Sequence, residues 1–103
     1  MSAPKRRVVL TDDARDDLAS IALFGLPVWG EAAVDAYHSE ISEVLSSLVR
    51  FPRMGHRTDE LPAGVFAFSV AQHVIYYRFD NDAIYVLRIV HNRMDSAGHL
   101  GIR

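Results

Sequence analysis

Hydrophobic and polar positions alternate along this chain with three different rhythms. A short run, Lys5-Arg6-Arg7-Val8-Val9-Leu10, reads as an edge strand and stops at Thr11. Thr11 is a good N-cap, and Asp12 and Asp13 follow where the positive end of a helix favours negative charge. Ala14, Leu18, Ile21 and Ala22 then recur at the spacing of one buried helical face, and Gly25 with Pro27 supplies a stop. This predicts a first helix of about 13 residues. Gly30 to Arg50 predicts a longer amphipathic helix, with Ala33, Tyr37, Ile41, Val44, Leu45 and Leu48 on the apolar face. Phe51-Pro52 ends it, and Met54 to Gly64 reads as a loop.

From Val65 onward the period changes to two. Val65–Val70, His73–Phe79 and Ala83–His91 predict three strands, parted by Ala71-Gln72 and by Asp80-Asn81-Asp82, which suit tight antiparallel hairpins. The last run is apolar on both alternations, so it needs cover on both faces. The tail Asn92 to Arg103 or another chain could supply the second cover. The order β-α-α-β-β-β predicts one α+β domain over residues 1–103, a two-helix hairpin packed on one face of an antiparallel sheet.

Composition narrows the function classes. At 50% apolar and 23% charged the chain has the balance of a folded globular protein. Without cysteine it can hold neither disulfides nor thiolate metal ligands, and the cytoplasm is the expected compartment. Charges break every apolar run before the ~18 residues a membrane span needs, so no membrane partner is expected. A net charge of −2 argues against general affinity for nucleic acid, although Arg50, Arg53, His56 and Arg57 cluster in sequence, as do Arg88, His91 and Arg93.

Catalytic signals are thin. The five histidines, His38, His56, His73, His91 and His99, lack the short spacing that sets two imidazoles on one helix face, so no metal or other cofactor is expected. Asp12, Asp13, Asp16 and Asp17 read as a solvated helix start. Metal-free RNA cleavage has candidates in Arg57, Tyr76, Tyr77, Arg88, His91 and Arg93, but Val65–Val70 carries no cation to face a phosphate.

Together these pieces resemble the RelE/ParE toxins. The resemblance rests on Trp29-Gly30 at the opening of the second helix, Pro52-Arg53-Met54-Gly55-His56-Arg57, Leu61-Pro62-Ala63-Gly64, His73-Val74-Ile75-Tyr76-Tyr77-Arg78, and Val86 to Asp95 with His99-Leu100. Arg88, His91, Arg93, Met94 and Asp95 in the last stretch look like the ParE branch. That likeness implies a type II toxin that inhibits DNA gyrase by binding, with no catalytic residues of its own. It further implies a hetero-oligomer with a ribbon-helix-helix, ParD-like antitoxin, through which alone the toxin would meet DNA.

The antitoxin is expected on Leu18, Ile21, Trp29 and Tyr37, and the target on Arg88, His91, Arg93, Met94, Asp95, His99 and Leu100, as two different surfaces. The family's ribonuclease branch, which cuts mRNA on the ribosome, uses a tail tyrosine, and this chain has none after Tyr85. It also carries Val65-Phe66 where ParE-like members often have arginine, which points to a weakened toxin serving mainly in an autoregulatory antitoxin complex as a further alternative.

Overall fold

The computed structural model describes residues 6–57 and 59–94. Its order is β1 (Arg7–Leu10), α1 (Asp12–Trp29), α2 (Glu31–Arg50), a 3-10 turn at Pro52–Met54, β2 (Phe66–Val70), β3 (His73–Phe79), β4 (Ala83–His91) and a second 3-10 turn at Asn92–Met94. Two helices pack on one face of a four-stranded sheet, so the α+β architecture stands.

Thr11 caps α1 as expected, its hydroxyl oxygen accepting from the Ala14 amide at 3.1 Å. The same hydroxyl lies 3.0 Å from the carbonyls of both Val86 and Leu87, which ties the start of the helix to β4. The helix does not stop at Gly25 or Pro27. Gly25 is buried on the face that continues Ala14, Leu18, Ile21 and Ala22, and a Cβ there would lie 3.1 Å from Val34 Cγ2 and 3.2 Å from Trp29 Cε3. It is a packing glycine that lets the helices approach. Pro27 sits inside the last turns, where its missing N–H frees the carbonyl of exposed Leu23 on the solvent side. The end comes at Gly30, whose φ of 85° suits glycine and whose N–H donates to Leu26 O at 3.0 Å. Trp29 therefore closes α1 instead of opening α2.

In α2 the buried stripe is Val34, Ile41, Leu45 and Leu48, with Tyr37 and Val44 half-buried; Ala33 faces solvent, one position off the expected face. The three late strands form the expected meander, β2 and β4 each antiparallel to β3. β1 instead joins β4 in parallel, Leu10 beside Val86, so the sheet is mixed, in the order β1-β4-β3-β2, and not wholly antiparallel. The reason is parity. The helix hairpin returns the chain to the end where β1 began, where Arg6 and residues 50–54 line one groove with Phe79 and Asn81. β2 thus starts from that end, and so does β4 two turns later.

The core under the helices centres on Ile41, Leu48, Phe66, Ile75, Tyr77, Ile84, Val86 and Ile89. On the opposite sheet face Val65, Ala67, Val74, Tyr76 and Val90 are also buried, with Leu61 of the α2–β2 loop packed against them. The loop therefore contributes to the second cover. Residues 95–103, including Asp95, His99 and Leu100, lie outside the described residues.

Candidate functional site

An open groove of about 800 Å³ lies where the end of α1 overhangs the start of β3 and the end of β4. Its α1 wall includes Asp17, Ile21, Phe24 and Trp29, and its floor His73, Arg88, His91 and Arg93. Residues expected on two separate surfaces, Ile21 and Trp29 on one hand and Arg88, His91 and Arg93 on the other, thus share one groove.

The end of α1 is apolar and open to solvent. Leu23, Phe24, Leu26, Val28 and Trp29 are exposed, Phe24 at 73% and Trp29 at 64%, within two turns of helix. Isolated exposed apolar residues are ordinary, but such a run on one short segment marks a contact surface. Leu18, Ile21 and Tyr37 are instead half-buried and packed against the core.

Arg88 is held by Asp17 in a two-pronged pair, Nε to Oδ2 at 2.8 Å and a terminal nitrogen to Oδ1 at 3.0 Å. Asp17 Oδ2 also accepts from the Ile89 amide at 2.8 Å. That acceptor pushes the Arg88 guanidinium further above its already high range, partly opposed by burial. Asp17 is accordingly a clamp between α1 and β4 rather than a solvated start residue. The signal was its position three residues beyond Ala14, on the buried face.

His73 and His91 face each other across the β3–β4 ladder, ring centres 5.5 Å apart and edge to face. The Tyr37 hydroxyl bonds the Val70 carbonyl at 3.0 Å and also meets His73 Nδ1. Burial first, then His91, pushes His73 below the ordinary imidazole range, with Asp17 opposing. Burial and Glu40 push the Tyr37 hydroxyl up. The Arg93 amide donates to His91 Nδ1 at 3.1 Å, which leaves Nε2 to carry the proton of the neutral ring. His73 was missed as a site residue because nothing in its local sequence separates it from any strand histidine; only the register with His91 does.

The two tyrosine candidates for RNA cleavage are buried. Tyr76 is 1% exposed. Tyr77 is fully buried, and its hydroxyl donates to Pro52 O at 2.7 Å and accepts from Gly55 N at 3.0 Å. Arg57 lies over the Phe66 ring, away from the groove. Met94 ends the second 3-10 turn. Among the described residues no three His, Cys, Asp or Glu side chains converge as metal ligands, and no helix is long and apolar enough to cross a membrane.

The fold is that of the RelE/ParE toxins. It superposes on a chain of the chromosomal ParDE toxin–antitoxin system from Pseudomonas aeruginosa with a TM-score of 0.72 at 19% identity, covering 84% of this chain and 96% of that one. It matches the toxin–antitoxin complex RelBE2 from Mycobacterium tuberculosis with a TM-score of 0.60 at 24% identity, covering 84% and 98%. Sequence narrows the class. Residues 8–96 match the family model described as ParE toxin of type II toxin-antitoxin system, parDE. Toxin ParE3 of Caulobacter vibrioides is 30% identical over 95 residues, 92% of this chain and 95% of that protein. The chain belongs to the ParE toxin family.

Proposed function

We propose that this chain is a cytoplasmic growth-inhibiting toxin that acts by binding DNA gyrase, without chemistry of its own, and is silenced by a ribbon-helix-helix antitoxin of the ParD kind. The observation that carries the antitoxin is the exposed run Leu23, Phe24, Leu26, Val28 and Trp29, of which Phe24 and Trp29 line the groove, an apolar segment that calls for a cover. Trp29 is the natural central anchor, and Ile21 lines the same wall. Leu18 and Tyr37, packed beneath, shape that wall from inside.

The gyrase reading rests on family membership and on the C-terminal stretch, His91, Arg93, Met94, Asp95, His99 and Leu100, with Arg88 held rigid by Asp17 behind it. Because Ile21 and Trp29 line one groove with Arg88, His91 and Arg93, the reading includes neutralisation by occlusion: an antitoxin seated on Trp29 covers His91 and Arg93. Two measurements test the reading. Titration calorimetry with the antitoxin encoded beside this chain is expected to show Trp29→Ala weakening the complex by about 2 kcal/mol, roughly 30-fold. A gyrase supercoiling assay is expected to show inhibition by the free chain. Unchanged affinity of a folded Trp29→Ala variant overturns the anchor. Codon-specific mRNA cleavage with no effect on gyrase overturns the target.

A further inference from the structure

The basic cluster around Arg50 and Arg53 is not used by the groove that α1 overhangs. It lies at the far end of β3, where Arg6, Arg50, Phe51, Arg53, Phe79 and Asn81 line a second open groove of about 690 Å³. The arginines are interleaved with rings. Arg6 and Arg53 lie 5.8 and 5.5 Å from the centre of the same Phe79 ring, and Arg50 lies 5.8 Å from the centre of the Phe51 ring. Phe79 in turn packs at 5.2 Å on Phe66, over which Arg57 sits at 5.6 Å. Phe51 is 62% exposed although it closes α2 beside a well-packed core, so a large ring is left in water beside Arg50.

We infer that this arginine–phenylalanine surface binds single-stranded nucleic acid, with phosphates on Arg6, Arg50 and Arg53 and a base stacked on Phe51. Three of the following features suit any anionic ligand, and the exposed ring is the one that favours a strand over an acidic peptide. Guanidiniums match phosphate geometry, and all the cations lining the groove are arginine. An exposed ring beside a cation is the stacking element a base uses, and a peptide carboxylate has no use for it. Arg6 and Arg53, drawn to one ring, are close enough to meet successive phosphates of one strand. None of Arg6, Arg50 and Arg53 has a carboxylate of a described residue within ion-pair distance; Arg6 instead donates to the Asp80 carbonyl at 2.7 Å. The nearby Asp80 carboxylate accepts from the amides of Asp82 and Ala83 and from the Tyr85 hydroxyl, and its charge still acts on Arg6, which leaves Arg50 and Arg53 as the cations farther from it.

The net charge of −2 does not oppose this binding, since charges beyond about 8 Å are largely screened at physiological salt. The surface sits at the opposite end of β3 from His73, so it stays open when a partner fills the first groove. Direct contact with a strand departs from the expectation that such a toxin meets DNA only through its antitoxin.

Fluorescence anisotropy of the full chain with a labelled 12-mer of oligo-dT tests this. Saturable binding is expected, weakened about tenfold by Phe51→Ala. Arg50→Ala/Arg53→Ala should reduce the log–log salt slope by about 1.4. All substituted side chains are exposed, and matching thermal melts establish that the variants fold. Absence of saturable binding, binding unchanged in both variants, or preferential binding of a poly-glutamate peptide overturns the proposal.

Discussion

At Gly55 the backbone passes so close to β2 and β3 that a side chain has nowhere to go. A Cβ there would meet the Tyr77 hydroxyl and lie 2.9 Å from the Ala67 carbonyl oxygen. Neither neighbour can yield freely, since Tyr77 is buried and bonded to Pro52 O, and Ala67 O already accepts from His56 N. Gly55→Ala is therefore expected to destabilise the chain by about 1–3 kcal/mol, measured by urea unfolding. The same scale holds a titrating group. His73 is kept below its ordinary value of 6.5, so the unfolded chain binds this proton more readily than the folded one. Its contribution to stability is full above about pH 6.5 and is lost as pH falls through the lowered folded value. The melting temperature should drop between pH 7 and 5, and His73→Gln should flatten that slope.

Among the elements, α1 departs most from what periodicity foretells. Pro27 lies within it and removes a hydrogen bond to the Leu23 carbonyl. Pro27→Ala restores the donor, and a rise in stability of about 1–3 kcal/mol is expected in thermal unfolding. The helical faces, the capping Thr11 and the three-strand meander were legible because each is written locally, in spacing and turn residues. The end of α1 was not, because Gly25 looks like a terminator in sequence and is a contact in space, where Val34 presses on it from the other helix. The clamp between Asp17 and Arg88, 71 residues apart in sequence, was equally illegible, since only the packing of α1 on β4 brings the two together. Of the candidate site, the tryptophan and the terminal arginines could be picked out one by one, but not their meeting in a single groove.

Across the whole molecule, the two grooves lie at opposite ends of β3, one walled by apolar α1 and one rimmed by arginine. The proposed occlusion at the first predicts strict competition: in a supercoiling assay with fixed toxin, added antitoxin should restore gyrase activity in proportion to the complex formed, and no ternary assembly should appear in size-exclusion chromatography. A ternary peak would place the two partners on separate surfaces after all.

The parallel pairing of β1 with β4 has a bearing on the birth of the protein. Arg7 bonds to the Asp82 carbonyl and Thr11 to the Val86 carbonyl, so the first strand has no partner until the last has been synthesised. Contacts of such sequence separation are slow to form, because the intervening chain must be ordered before they repay the closure. A nascent chain on the ribosome holds β1 and both helices without their sheet, and the groove, whose floor is β3 and β4, does not yet exist. On the proposed reading, the surface an antitoxin covers is complete only after β4 has been synthesised, which gives an antitoxin already present its opportunity at that moment.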